Sequence, residues 1–116
     1  MRLISLFAVW LVLGSSVTAQ EAPKTYVRFF SDSAKAANFY VDSQFGCSIP
    51  ANPDEKNAYC DAEVAVGKHS LSVQGPKLRR QSCEIYIADR GLAEAGGEAH
   101  LSKGERLHCI TFGRAD

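Results

Sequence analysis

Tyr59-Cys60-Asp61-Ala62-Glu63-Val64-Ala65-Val66, then Gly67-Lys68, then His69-Ser70-Leu71-Ser72-Val73 is the stretch on which the fold class turns. Cys60, Ala62, Val64 and Val66 alternate with Tyr59, Asp61, Glu63 and Ala65. Leu71 and Val73 alternate with Ser70, Ser72 and Gln74. Alternation with a period of two on both sides of a glycine turn predicts two half-buried antiparallel strands. The expectation is a hairpin at the centre of a small antiparallel β-sandwich, with the remaining strands added around it.

Outward from this stretch, short strands recur with turn signals between them. Thr25 to Phe30 puts Val27 and Phe29 on one face and Tyr26, Arg28 and Phe30 on the other. Ser33 to Ala37 has room for one helical turn. Asn38 to Asp42 sends Phe39 and Val41 inward, and Gln44 to Ile49 continues extended. Asn52-Pro53-Asp54 suits a type I turn, with proline fixing φ at its second position. Gly75-Pro76-Lys77 closes the strand that carries Leu71 and Val73. Ser82 to Ala88 places Cys83, Ile85 and Ile87 on one side. Ser102 to Glu105 is a turn between Ala99-His100-Leu101 and a last strand, Arg106 to Phe112. No segment keeps a helical period beyond about ten residues, and several short strands at regular spacing point to an all-β sandwich or barrel.

Residues 1–19 stand apart. Arg2 precedes an apolar run from Leu3 to Leu13, and Val17-Thr18-Ala19 has the small residues of a cleavage site. This is the pattern of a secretory signal peptide cut after Ala19. The run is shorter than the roughly 20 apolar residues of a membrane span. Removing 19 of 116 residues leaves 97, a single domain over residues 20–116, with no further stretch fit to span a membrane. The loss of Arg2 leaves 12 basic against 13 acidic residues. That balance argues against a nucleic-acid binder, which would show a basic excess. The expected location is secreted or periplasmic.

All four cysteines fall in the exported part. An even number in a small exported domain reads as two disulfides. Of the three connectivities, Cys47–Cys60 with Cys83–Cys109 is preferred. With the intervening turn centred on Pro53-Asp54, Cys47 falls opposite Cys60. Cys83 and Cys109 both point inward if their strands are neighbours.

The order of these pieces resembles the PEGA-type family of small β-sandwich domains found on exported bacterial proteins. Phe39-Tyr40-Val41-Asp42 is similar to that family's strand before a β-turn. Val66 to Val73 is similar to its glycine turn and following strand, and Leu101-Ser102-Lys103-Gly104 before Arg106–Phe112 to its closing hairpin. The four cysteines lie outside the family pattern, and Ser43 stands where it has glycine. The resemblance implies a sandwich with a surface or binding role and carries no catalytic residues.

Candidate chemistry is sparse. His100 and His108 straddle the last turn, and Asp61 and Glu98 are the carboxylates that would join them. However, the chain has no His-x-His or His-x-x-x-His spacing of the kind that marks zinc, so no metal or other cofactor is expected. No Gly-x-Ser-x-Gly elbow exists, and cysteines held in disulfides are unavailable as nucleophiles. Asp61 and Glu63 share a strand face, but an exposed pair of this kind is ordinarily solvated. Tyr26, Tyr40, Tyr59 and Tyr86 each lie opposite the apolar side of their strand. Tyrosine combines a large apolar body with a polar tip, suited to a protein interface or to stacking on sugar. Lys77, Arg79 and Arg80 form a basic cluster fit for an acidic partner. The expectation is a non-catalytic binding module that docks on a protein partner, as an inhibitor or envelope accessory, through these seven residues. The alternatives are a carbohydrate-binding module using the same tyrosines and, less favoured, a small hydrolase.

Overall fold

The structure, a computed structural model, describes residues 23–51 and 58–112. The expected signal peptide, the start of the expected lead-in and the turn expected at Asn52-Pro53-Asp54 lie outside the described residues. Among the described residues, eight strands make the fold: β1 (Lys24–Ser31), β2 (Ala37–Val41), β3 (Gln44–Ile49), β4 (Ala58–Ala65), β5 (Gly67–Gly75), β6 (Leu78–Ile87), β7 (Gly97–Leu101) and β8 (Leu107–Thr111). Sheet one has the order β4-β1-β7-β8 and sheet two the order β3-β2-β5-β6. Every pairing is antiparallel except β1 with β7, which run parallel at the centre of sheet one. The protein is therefore an all-β, disulfide-stapled sandwich.

The alternating apolar residues meet between the sheets. Val27, Phe29, Ala62, Val64, Ala99 and Leu101 come from sheet one. Phe39, Ile49, Leu71, Val73, Ile85 and Ile87 come from sheet two. Phe29 and Phe39 stack across the interface with ring centroids 4.5 Å apart. Full burial of one such side chain is worth about 1.5–3 kcal/mol, so this pair anchors the two layers to each other.

The stretch from Tyr59 to Val73 is two strands, but not a hairpin. β4 pairs along its whole length with β1, from Lys24 opposite Ala65 to Ser31 opposite Ala58. The Val66 amide donates to the Pro23 carbonyl at 2.8 Å. The chain then turns at Gly67, whose φ of 130° favours glycine, and β5 enters sheet two between β2 and β6. Alternation could not separate these outcomes. Side by side in one sheet, or facing each other from two, Ala62 and Val64 reach the same core as Leu71 and Val73.

The hairpins are elsewhere. Asp42-Ser43 joins β2 to β3, Pro76-Lys77 joins β5 to β6, and Ser102 to Arg106 joins β7 to β8. Asp42 and Ser43 have φ of 50° and 70°, the two positive values that define a type I′ turn. Ser33 to Ala37 forms no helical turn. The Ser33 amide donates to Ser31 Oγ and the Lys35 amide to Ser33 Oγ, each at 3.2 Å. Such local side-chain bonds compete with helical ones.

Both disulfides form with the expected partners, and all four cysteines are used. Their geometry differs from the expectation. Cys47 on β3 and Cys60 on β4 are not cross-strand neighbours of a hairpin; they link the facing edges of the two sheets, with Cα atoms 6.0 Å apart. Cys83 on β6 and Cys109 on β8 do the same at the other edge, 5.9 Å apart. Each open side of the sandwich thus carries one covalent link. The β6–β8 side is closed further by the Gln81 side-chain amide. It donates to the Glu105 carbonyl and accepts from the Leu107 amide.

Candidate binding surface

The outer face of sheet one is built by the odd-even alternation of β1 and its neighbours. With Val27 and Phe29 committed to the core, Tyr26, Arg28 and Phe30 must point out. The register sets what stands beside them. Tyr59 of β4 is opposite Phe30, Phe30 is opposite His100 of β7, and His100 is opposite His108 of β8. Four ring side chains therefore form one row across all four strands. Phe30 and His100 stack with centroids 4.5 Å apart and planes 20° off parallel. Phe30 and Tyr59 lie 5.9 Å apart. Tyr59 remains 53% exposed.

Arg28 occupies the next row. Its Nε donates to Asp61 Oδ1 at 2.7 Å and its Nη2 to Asp61 Oδ2 at 3.0 Å, a two-pronged carboxylate clamp. The guanidinium lies 4.1 Å from the Tyr59 ring centre and 5.6 Å from that of Tyr26, a cation–π arrangement. The hydrogen bonds to Asp61 raise the Arg28 pKa further above its ordinary value; burial opposes this, and the charge of Asp61 adds to it. Glu98 stands opposite Arg28 on the other side, with its Oε1 2.9 Å from His100 Nε2. Ile110, 42% exposed, ends this row. The face is thus an ordered plane of aromatic rings around one arginine whose charge is already matched.

The seven residues singled out in the sequence are not brought together. Tyr26 and Tyr59 belong to the outer face of sheet one. Tyr40 on β2 belongs to the outer face of sheet two, on the opposite side of the molecule, beside the 63% exposed Phe45. Tyr86 on β6 is opposite Lys68 in sheet two. Lys77, Arg79 and Arg80 sit in the β5–β6 hairpin, exposed. The four tyrosines are therefore divided between the two sheets. The chain crosses from sheet one to sheet two between β1 and β2, which parts Tyr26 from Tyr40, and again at Gly67 between β4 and β5, which parts Tyr59 from Tyr86. Phe30, Arg28 and His100 complete the sheet-one surface and were not singled out as contacts. Their side was legible from parity, and His100 opposite His108 from the centre of the last turn. The parallel β1–β7 pairing that sets Phe30 against His100 left no local signal.

A second polar cluster ties the corner where β4 passes to β5. Asp42 Oδ1 accepts from the Ser70 amide at 2.9 Å, and Asp42 Oδ2 lies 2.5 Å from His69 Nδ1. His69 Nε2 lies 2.7 Å from the Ala65 carbonyl. Both ring nitrogens therefore face acceptors, and neither is presented to a serine hydroxyl. The pair thus ties the β2–β3 turn to the start of β5. Burial alone would raise the Asp42 pKa, but the Ser70 amide and His69 outweigh it and hold the carboxyl below its ordinary value. Among the described residues no group of three or more His, Cys, Asp or Glu side chains could hold a metal ion.

No family model matches the chain, and no curated protein matches it. Two disulfides fit an oxidising environment outside the reducing cytosol.

Proposed function

We propose that this domain is a secreted or periplasmic, non-catalytic binding module that docks a protein partner on the outer face of sheet one. The observation that carries this reading is the row Tyr59–Phe30–His100 with Arg28 fixed beside it. Tyrosine and arginine are enriched at the energetic centres of protein interfaces, and charged residues are depleted there unless paired. Arg28 meets both conditions, because Asp61 neutralises it before any partner arrives. Holding these side chains in place beforehand lowers the ordering cost of association. Four strands about 4.8 Å apart make a platform smaller than the roughly 800 Å² that each partner of a standard interface buries. The contact therefore extends past the rim, where Lys103 and Arg106 of the β7–β8 turn supply positive charge.

The test is capture from the envelope and medium of the source organism on the immobilised, oxidised domain. One retained protein is expected. Phe30→Ala and Tyr59→Ala should each weaken its binding at least tenfold, Tyr40→Ala on the other sheet should leave it unchanged, and soluble glycans should not displace it. Equal retention by the sheet-one variants would overturn the reading.

A further inference from the structure

The outer face of sheet two carries a different chemistry. Ser43, Ser70, Ser72, Arg80, Gln81 and Ser82 line a shallow hollow of about 340 Å³. This is at the small end of the range for small-ligand sites, about 300–1,000 Å³. Among the described residues, none of the four serine hydroxyls makes a hydrogen bond, and the Arg80 guanidinium makes neither a hydrogen bond nor an ion pair. That contrasts with Arg28 on the opposite sheet, which is fully engaged by Asp61. The hollow is continued by register: Phe45, Tyr40, Ser72 and Ser82 form one row across β3, β2, β5 and β6. Tyr40 and Phe45 meet edge to face with centroids 5.9 Å apart. At the far side Glu84 stands opposite Ser70.

We infer that this hollow binds an acidic sugar unit, one carrying a single carboxylate or sulfate, within an oligosaccharide. Each part of the ligand has a counterpart. Arg80 offers the fork of N–H groups that matches a planar or tetrahedral oxyanion. Lys77 and Arg79, in the same hairpin and without ion partners among the described residues, add attraction for it. Serine hydroxyls both donate and accept, as sugar hydroxyls do, whereas a peptide carboxylate only accepts. Tyr40 and Phe45 supply an apolar surface for the C–H face of the neighbouring ring. Glu84 sets the orientation, because it repels the anionic substituent and accepts from neutral hydroxyls. The site lies on the opposite face from the protein-docking surface, and neither reading depends on the other.

The experiment is a titration of the oxidised, isotope-labelled domain, followed by amide NMR and calorimetry. The probes are a uronate oligosaccharide, a sulfated oligosaccharide, a neutral oligosaccharide of the same length, an acidic peptide and inorganic sulfate. At least one acidic oligosaccharide should shift Ser70, Ser72, Ser82 and Tyr40 and bind at least tenfold more tightly than the neutral one. Which of the two does so identifies the anionic group. Arg80→Gln and Tyr40→Ala should each cost about tenfold, the scale of one charge-assisted hydrogen bond or one stacked ring. Tyr59→Ala should change nothing. The inference is overturned if neither acidic oligosaccharide outcompetes the neutral one, or if Arg80→Gln and Ser72→Ala both bind as the parent does. It is equally overturned if inorganic sulfate or the acidic peptide binds as tightly as the sugar.

Discussion

Ser43 is an L-residue held at φ 70° in the second place of a two-residue hairpin. The left-handed region costs a residue with a Cβ about 1–2 kcal/mol, and Asp-Gly or Asn-Gly is the usual sequence there. Ser43→Gly should raise stability by about 0.5–1 kcal/mol in a denaturant titration, because the relief exceeds the extra entropy glycine gives the unfolded chain. Its neighbour Asp42 is different. Its side chain caps Ser70 and meets His69, and the folded protein holds its carboxyl below the ordinary value. The contribution is therefore present above about pH 4, the ordinary aspartate range, and is lost as pH falls through the lower folded value. Asp42→Asn should melt below the parent protein at pH 6. The two melting curves should converge on acidification from pH 5 towards pH 2.

At the scale of elements, the strands were legible and their partners were not. Val27 with Phe29, Ala62 with Val64, and Leu71 with Val73 announce strands by parity alone. Asp42-Ser43, Gly75-Pro76 and Ser102-Lys103 mark their ends. Parity says which residues face the core but not from which sheet, so Gly67 reads as a hairpin turn when it is a passage between layers. The binding face shares that fate. Each outward side chain was assignable, but the Phe30–His100 stack depends on β1 meeting β7 across 65 or more residues of chain, which no local pattern encodes. The cystine pairs were legible for a related reason. Cysteines that face inward on edge strands can meet whether those strands are paired or opposed. Each link closes one side of the sandwich. Chain-entropy arguments value the 13-residue and 26-residue separations at about 3 and about 3.5 kcal/mol. Replacing Cys47 and Cys60 together by alanine, or Cys83 and Cys109 together, should each lower unfolding stability by about 3 kcal/mol, measured by denaturant titration. The second pair should lose less than its loop length implies, because the Gln81 amide still joins β6 to the β7–β8 turn.

The whole molecule presents two unlike faces: an aromatic plane with a neutralised arginine on one side, and on the other a hydroxyl-lined hollow with an arginine that has no ion partner among the described residues. The two cystine links also determine how the domain carries load. Pulled from its two ends, the oxidised chain transmits force from residue 47 directly to 60 and from 83 directly to 109. Residues 48–59 and 84–108 hang as slack loops outside the line of tension. Tyr59 and His100 ride in those loops, while Arg28 and Phe30 lie on the loaded path. At about 3.4 Å per extended residue, the shielded segments withhold on the order of 100 Å of extension. Single-molecule pulling should show an unfolding step shorter by that amount before reduction than after it. The oxidised domain thus acts as a short tether, and the same domain without its cystines as a long one.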